Sequence, residues 1–316
     1  MEVGCDHSCV LSKLSSLPIQ DNVYNWFVDY FLDHTHVTKY CSCISQPASI
    51  NAGVFQGSAI GPAMYVVNSS DLKPINSSCY IDKYADDTYL LVPSGCDDLI
   101  PSELLAIEQW ADSNNLKLNK SKSMEMIIYS SAKARSTGSV VPPLSDIARV
   151  DGMKILGVYI DHNLSLKCHI GNVCQTAAQC LYAIKLLKAH GLDQLSIHDV
   201  CTATLVAHLT YAIASWWGFT NVSEQHQLQS VLNRAVRWGF YNANSPTVEQ
   251  ICIKRSSNLF TSILANPAHV LHQYLPPVKV HKYDLRPRAH NRDLPHKTTA
   301  LLCKNFLYRM LYQSLN

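Results

Sequence analysis

The chain has 316 residues, of which 47% are apolar and 16% are charged, and its net charge is +2. This size and composition allow one large hydrophobic core or two smaller ones. The twelve cysteines lack the paired short spacings of zinc ribbons, fingers or knuckles, and no signal peptide precedes them. We therefore expect reduced, mostly buried thiols in a soluble intracellular protein, cytoplasmic or nuclear.

The amino-terminal part of the chain predicts an amphipathic helix followed by a glycine-rich turn. Behind Asp21, apolar side chains recur at helical spacing, and we expect this aromatic stripe to pack on a sheet. Gly57 has no Cβ and permits a close approach to the backbone, and Gly53 and Gly61 permit bends on either side. A helix is predicted over residues 58–68. The stripe consists of Val23, Trp26, Phe27, Tyr30 and Phe31.

Two β-type runs, residues 79–83 and 88–92, flank the tetrapeptide Tyr-Ala-Asp-Asp at 84–87, which predicts a hairpin with two carboxylates at its tip. A turn that only reverses the chain favours Asn-Gly or Asp-Gly and does not concentrate like charges. A divalent cation would offset the repulsion between Asp86 and Asp87, because Mg²⁺ prefers oxygen ligands and binds together with substrate phosphates. The alternative is an inert, solvated acidic turn.

The middle of the chain alternates between helical and strand patterns. We predict a helix over residues 102–114, strands over 123–129 and 153–160, and a polar surface loop over 130–143. Gly157 interrupts the second strand, which indicates a bulge or the close approach of another backbone.

From residue 170 onward the pattern is helical, with one helix predicted to close at Gly191 and a bundle continuing to residue 236. The face predicted for the first helix is Val173, Ala177, Cys180, Leu181, Ile184 and Leu187, and the bundle continues through Leu228, Val231, Leu232, Ala235 and Val236. Residues 200–223 contain no Asp, Glu, Lys or Arg and are long enough to cross a bilayer. Their threonines, and a start at residues 196–199 that resembles a capping box, favour a helix in water instead. We interpret His208 as a satisfied packing histidine. Helices that follow a sheet predict the α+β class.

Four short motifs follow one another along the chain. They are Gln56-Gly57-Ser58 with Gly61-Pro62, Tyr84-Ala85-Asp86-Asp87-Thr88, Asn119-Lys120-Ser121-Lys122-Ser123, and Ile155-Leu156-Gly157-Val158. In this order they resemble the second palm motif, the metal-binding hairpin, the fourth motif and the primer grip of a reverse transcriptase, an RNA-directed DNA polymerase, from a non-long-terminal-repeat (LINE-like) retrotransposon. Four ordered motifs are far more specific than any one of them. The resemblance covers roughly residues 5–240.

This resemblance implies an α+β fold in which a polymerase-type palm, an antiparallel sheet with packed helices, is followed by an α-helical thumb. It divides the chain into a partial palm over residues 1–163, a thumb over 164–243 and a basic extension over 244–316. It also implies RNA-directed DNA polymerisation by two-metal phosphoryl transfer, with Mg²⁺ as cofactor. The implied partners are an RNA template, a DNA primer and deoxynucleoside triphosphates.

The resemblance also assigns roles to single residues. Asp86 and Asp87 would hold Mg²⁺, and Lys122 would neutralise or protonate the leaving pyrophosphate. Taken alone, Lys122 is an ordinary solvated lysine, and the stretch around Gln56 is an ordinary loop that caps the next helix. The remaining roles are nucleotide or template binding by Gln56, Gly57 and Tyr84, and primer binding by Leu156 and Gly157.

The register of the resemblance places the family's first metal-binding aspartate ahead of Met1, and the fingers subdomain is missing. We therefore expect an amino-terminally truncated domain with little or no polymerase activity. Glu2 or Asp6 could substitute as the third carboxylate. The alternative function is that of a catalytically dead remnant that only binds nucleic acid.

The last part of the chain is basic. Residues 251–316 hold ten Lys/Arg against two acids. Among them, Lys282, Arg286 and Arg288 surround Tyr283, a composition suited to phosphate contact with some stacking. A solvated linker ahead of a last helix over residues 298–312 is the equal alternative.

Overall fold

The structure, a computed structural model, describes residues 6–53, 58–129, 142–279 and 290–313. The predictions for Glu2, for Gln56 and Gly57, for most of the surface loop after residue 129, and for the basic residues Lys282, Arg286 and Arg288 lie outside these ranges. Helices and short antiparallel strands are both present, as the α+β class requires. The chain divides into two compact units, residues 6–125 with 142–148, and residues 126–129 with 149–313.

The helices of the first unit are α1 (His7–Ser15), α2 (Asp21–Phe31), α3 (Gly61–Asn68) and α4 (Ile100–Ser113). Their core brings together Val10, Leu14, Phe31, Met64, Ala111 and Leu116. Lys13 links three of these helices, because its Nζ donates to the carbonyl of Asn68 at 2.5 Å and to Oδ1 of Asn114 at 2.6 Å. The predicted helices over 58–68 and 102–114 are therefore confirmed, within a few residues at their starts.

The aromatic stripe of α2 packs differently from the expectation. Helix α2 contacts α1 rather than a sheet. Phe31 is buried, but Val23 and Trp26 remain 41% and 49% exposed, and the Trp26 ring stacks on Tyr30 at 5.2 Å between centroids. The prediction of a stripe buried against a palm sheet was wrong, because its amino-terminal half faces solvent.

The strands of this unit form separate antiparallel pairs. β1 (Thr35–His36) pairs with β4 (Ala48–Ser49), and β2 (Lys39–Tyr40) pairs with β3 (Cys43–Ile44). The longest pair is the hairpin of β5 (Tyr80–Tyr84) and β6 (Asp87–Leu91). The strand expected over residues 123–129 is reduced to β7 (Met124–Glu125), and β8 (Ala148–Arg149) lies where the chain passes to the second unit.

One buried and one partly buried charged group fix the approach to the β5–β6 hairpin. The carboxylate of Glu103 is 1% exposed and accepts the backbone N–H groups of Ile75 at 3.0 Å and Asn76 at 2.7 Å. On β5, Lys83 donates to the carbonyls of Ser69 at 2.5 Å and Leu72 at 2.9 Å. Burial lowers the pKa of Lys83. Both contacts tie the loop between α3 and β5 to its surroundings.

The second unit opens with a hairpin of β9 (Gly152–Ile155) and β10 (Val158–Asp161). A single bulged strand was predicted here, and the structure corrects this, because Leu156 and Gly157 form the turn with φ of 46° and 88°. Positive φ at both central positions suits the twist of a tight hairpin. Leucine rarely adopts such a conformation, which is why the sequence did not indicate a turn.

The helices of the second unit are α5 (Lys167–Ala189), α6 (Gln194–Cys201), α7 (Ala207–Leu209), α8 (Ile213–Trp216), α9 (Val222–Arg237), α10 (Val248–Ala265), α11 (Ala300–Lys304) and α12 (Phe306–Gln313). A π-helical segment, Thr202–Val206, joins α6 to α7. Gly191 follows α5 with φ of 90°, as predicted for a helix end. The single helix expected over residues 298–312 is instead broken at Asn305, whose Oδ1 accepts from Leu307 N at 2.9 Å.

The main core of this unit lies between α5, α6 and α9. Helix α5 contributes Ile170, Ala177, Leu181 and Ile184, each at most 1% exposed, whereas Leu187 at its end is 41% exposed and does not belong to the face predicted for it. Helix α9 contributes the predicted Leu228, Val231, Leu232 and Ala235.

The uncharged stretch over residues 200–223 is divided among short elements. Its helix start is capped by Asp193, whose Oδ1 accepts from Leu195 N and Ser196 N at 3.0 Å, so the capping box predicted at residues 196–199 was wrong. Across the described ranges, the length and apolarity needed for a bilayer crossing are not found together in one helix.

The cysteine prediction is confirmed in one part and wrong in another. The eleven cysteines within the described ranges are free thiols. Only Cys79, Cys201 and Cys252 are buried, so most of them are not core residues.

Two histidines of the second unit, next to its main core, each carry an unsatisfied ring nitrogen. Nδ1 of His169 accepts from Tyr159 N at 3.4 Å, and the ring meets Trp216 edge-on at 5.2 Å. Nε2 of His169 and Nε2 of His208 are buried without a hydrogen-bond partner within the described part of the chain, so the prediction of a satisfied His208 was wrong. Burial lowers the pKa of both histidines, and for His169 the nearby His208 and Lys154 add to the effect.

We predict that Glu103→Gln lowers the free energy of unfolding by about 1–3 kcal/mol, because an amide nitrogen would face one of the two backbone donors and leave it unsatisfied. Urea unfolding measures the loss. Glu108→Gln is the matched control, since Glu108 makes only a partly exposed ion pair with Lys120 at 2.6 Å. Equal losses for the two variants would contradict the anchoring role of Glu103.

We predict that acid destabilises the second unit from just above pH 6.5 downward. The folded pKa of His169 and His208 lies below the unfolded value of about 6.5, so the unfolded chain binds more protons as the pH falls through that value. His169→Asn keeps a polar atom near Nδ1 and removes the titration, so it should flatten the pH dependence of unfolding between pH 7 and 5. His226→Asn, at an exposed position of α9, is the control. A slope unchanged in His169→Asn would refute this account.

Candidate functional site

The acidic hairpin forms as predicted. Tyr84 pairs with Asp87 as the last rung of the β5–β6 ladder, so Ala85 and Asp86 form a two-residue turn and Asp87 is already the first residue of β6. Ala85 adopts the left-handed conformation with φ of 50°. For a residue with a Cβ this costs roughly 1–2 kcal/mol, and such strain concentrates at functional sites.

The two faces of the hairpin differ in character. Alternation along the strands places Tyr80, Asp82 and Tyr84 on an exposed face and turns Ile81 and Lys83 toward the protein. The hydroxyl of Tyr89, across from Asp82, reaches Oδ2 of Asp87 at 3.5 Å. Asp82 thus shares a face with Asp87 but lies two rungs of the ladder away from the tip.

The two tip carboxylates are of the ligand type that Mg²⁺ prefers. Both Asp86 and Asp87 are exposed, and both offer hard oxygen donors. Mg²⁺ is commonly held by one or two carboxylates that act together with water and substrate phosphates. Within the described ranges, three or more His, Cys, Asp or Glu side chains do not come together in a metal-binding group, so a third protein carboxylate is not supplied there.

Asp6, a candidate for that third carboxylate, instead caps a helix. Its Oδ1 accepts from both the backbone N and the Oγ of Ser8 at 2.9 Å, so it caps the start of α1. Such a cap typically stabilises a helix by about 1 kcal/mol.

The glycine-rich turn is described only at its ends. Gly53 has φ of 108°, which requires glycine or a strained side chain. Ser58 Oγ accepts from Gly61 N at 3.0 Å and so satisfies the first backbone N–H of α3, whose N-cap residue Ile60 makes no side-chain cap. Nucleotide or template binding by Gln56, Gly57 and Tyr84 stays a prediction.

Lys122 lies in the tight turn before β7. Its backbone N–H donates to the carbonyl of Asn119 at 3.2 Å and to Oδ1 of the same residue at 3.1 Å. Lys120 forms an ion pair with Glu108, and the hydrogen bond and charge of Glu108 raise the pKa of Lys120. Lys122 is exposed, and its role at the pyrophosphate stays a prediction.

The Leu156-Gly157 turn is contacted by a residue that the sequence did not single out. Tyr211 donates its hydroxyl to the carbonyl of Leu156 at 3.1 Å. Its ring lies against Gly157, where an added Cβ would meet Cε1 of the ring at 3.0 Å. Among the described residues, the group that lies close to Gly157 is therefore the side chain of Tyr211. Primer binding by Leu156 and Gly157 stays a prediction. The only sequence signal was a lone tyrosine in the uncharged stretch, which gives no hint of this partner.

Comparison with known proteins bears on the same part of the chain. The family model described as "Reverse transcriptase (RNA-dependent DNA polymerase)" matches residues 6–160, the part that contains the acidic hairpin and the Leu156-Gly157 turn.

Three curated proteins of Drosophila melanogaster are similar to the chain. The probable RNA-directed DNA polymerase from transposon X-element is 25% identical over 219 residues, 66% of this chain and 24% of that protein. The RNA-directed DNA polymerase from mobile element jockey is 32% identical over 157 residues, 45% of this chain and 16% of that protein. The probable RNA-directed DNA polymerase from transposon BS is 24% identical over 243 residues, 73% of this chain and 27% of that protein.

The chain therefore spans about a quarter or less of the length of these relatives. The matched stretch includes three of the four motifs at positions that the structure describes in full: the acidic hairpin, residues 119–123 and the Leu156-Gly157 turn. Residues 6–160 belong to the reverse transcriptase family, and the chain carries a reverse transcriptase domain of the non-long-terminal-repeat, LINE-like retrotransposon type.

Proposed function

We propose that the chain provides the palm and thumb of an enzyme that copies an RNA template into DNA from a DNA primer. The palm would comprise residues up to 163, the thumb residues 164–243, and a basic extension the remainder. The observation that carries this proposal is the pair Asp86 and Asp87, held at the tip of an antiparallel hairpin inside the matched region.

In this proposal Asp86 and Asp87 hold Mg²⁺ in the presence of a deoxynucleoside triphosphate. Bound metal ions would stabilise the charge on the attacking and leaving oxygens of the phosphoryl transfer. The rigid ladder below the tip keeps both carboxylates at the end of β5 and β6, so little ordering is needed on binding. Exposure of both side chains leaves room for substrate phosphates.

Other residues would bind and orient the nucleic acid. Gly57 lacks a Cβ and would let the nascent base pair approach the backbone, with Gln56 and Tyr84 beside it. Lys122 would neutralise the departing pyrophosphate. Leu156 and Gly157 would present the β9–β10 turn to the primer strand.

A catalytically inactive protein that binds nucleic acid is the second candidate. It is favoured by the absence, within the described ranges, of a third acidic side chain grouped with Asp86 and Asp87. The excess of basic residues after residue 250 suits phosphate binding without catalysis.

For the polymerase, we predict that Asp86→Asn and Asp87→Asn each lower Mg²⁺-dependent primer extension on an RNA template by at least about a hundredfold, because each removes charge that holds the metal. Asp82→Asn is the matched control, since it lies on the same hairpin face away from the tip. Equal activity in all three variants would refute the metal-binding role of the tip.

The wild-type chain decides between the two candidates. Extension above background supports the polymerase. Tight, salt-dependent binding of an RNA–DNA hybrid without extension supports the inactive protein. Line broadening by Mn²⁺ at residues 84–88, measured by NMR, tests the metal site whether or not the chain is active.

For the basic extension, we predict that Arg286→Ala with Arg288→Ala weakens binding to RNA and lowers the slope of log K against log salt by about two, one for each lost phosphate contact. Fluorescence anisotropy over a salt series measures the slope. Lys167→Ala with Lys185→Ala, both exposed on α5, removes the same charge elsewhere and is the control. An unchanged slope would show that the extension is not a nucleic-acid contact.

A further inference from the structure

The turn between β9 and β10 is held in place by one side chain. Leu156 and Gly157 both have positive φ, which a leucine adopts only at a cost of roughly 1–2 kcal/mol. The Tyr211 hydroxyl donates to the carbonyl of Leu156 at 3.1 Å, and the ring occupies the space beside Gly157. Tyr211 therefore contacts both residues of a strained turn and favours that conformation over its alternatives.

The backbone of Tyr211 is itself fixed from both sides. Arg255 of α10 donates through Nη1 to the carbonyl of Thr210 at 2.6 Å, and Trp216 donates through Nε1 to the carbonyl of Tyr211 at 2.8 Å. Thr210 is completely buried, and Ala212 adopts a left-handed φ of 48°. A side chain carried on such a rigid segment can hold a neighbouring turn accurately.

General core packing does not explain this arrangement. Tyr211 is 54% exposed, whereas Leu209 and Ile213 on either side of it are at most 1% exposed. The apolar burial gained by Tyr211 is therefore small compared with that of its neighbours. Its fixed position instead stabilises the turn that it contacts.

We infer that Tyr211 is a positioning residue that holds the Leu156-Gly157 turn in the form that receives the end of the primer strand. This inference rests on the proposed function, because the turn is assigned to the primer there. Tyr211 acts through the turn, which lowers the ordering required when a primer terminus binds.

The test compares the wild-type chain with Tyr211→Phe, which removes only the hydroxyl. Two quantities are measured: amide hydrogen exchange over residues 152–161 without nucleic acid, and the ratio of affinities for an RNA–DNA hybrid with a recessed primer end and for the RNA strand alone. Loss of one hydrogen bond should raise the opening of the turn about fivefold and lower the affinity ratio several-fold. Thermal unfolding should change little.

Two further variants provide a second disruption of the turn and a control. Gly157→Ala places a Cβ 3.0 Å from the Tyr211 ring at a positive φ, and should disturb the turn and lower the affinity ratio with Tyr211 intact. Tyr182→Phe removes a hydroxyl from a tyrosine that is 63% exposed on α5, and should leave both measurements unchanged.

The outcomes separate this inference from the function on which it rests. A wild-type chain without preference for the recessed primer end overturns both. A wild-type preference that persists in Tyr211→Phe overturns the positioning role alone, even if hydrogen exchange becomes faster. A reduced preference in Tyr211→Phe and Gly157→Ala, with Tyr182→Phe unchanged, supports it.

Discussion

The candidate site depends on the placement of two adjacent, like-charged carboxylates at an exposed hairpin tip. Asp86 and Asp87 occupy the end of a regular antiparallel ladder, next to an alanine in a left-handed conformation. The repulsion between the carboxylates and the strained φ of Ala85 both oppose this arrangement. Contacts elsewhere in the fold must therefore stabilise it. Lys83 and Glu103 supply such contacts, because each satisfies two backbone groups of the loop that leads into β5. The tip can then present negative charge outward without a loss of order.

Local signals made part of this structure predictable. The acidic hairpin, α2, α4 and α5 follow from periodicity and turn residues that lie within one segment. Contacts between distant segments could not be read in the same way. The pairing of Tyr211 with Leu156 joins residues 55 positions apart, and Glu103 reaches back to Asn76 over 27 positions. No spacing rule in a single sequence connects such pairs.

The errors have a common physical origin. The stripe on α2 was assigned to a sheet because its spacing identifies an apolar face but not the partner of that face. The β9–β10 turn was read as a bulged strand because leucine at a positive φ contradicts ordinary turn preferences. Tertiary contacts override local preference in both cases, and the second case coincides with a proposed functional element, where such conflicts are expected.

The π-helical segment Thr202–Val206 has a geometric consequence for the residues that follow it. Its wider winding accommodates one residue more than an α-helical turn, so everything downstream is rotated by about 100° relative to an uninterrupted helix. The direction in which Tyr211 leaves this segment therefore depends on the number of residues between α6 and α7, together with the turn at residues 210–212. Deletion of one residue in this segment would remove the extra residue and rotate the helix end that leads to Tyr211 relative to α6.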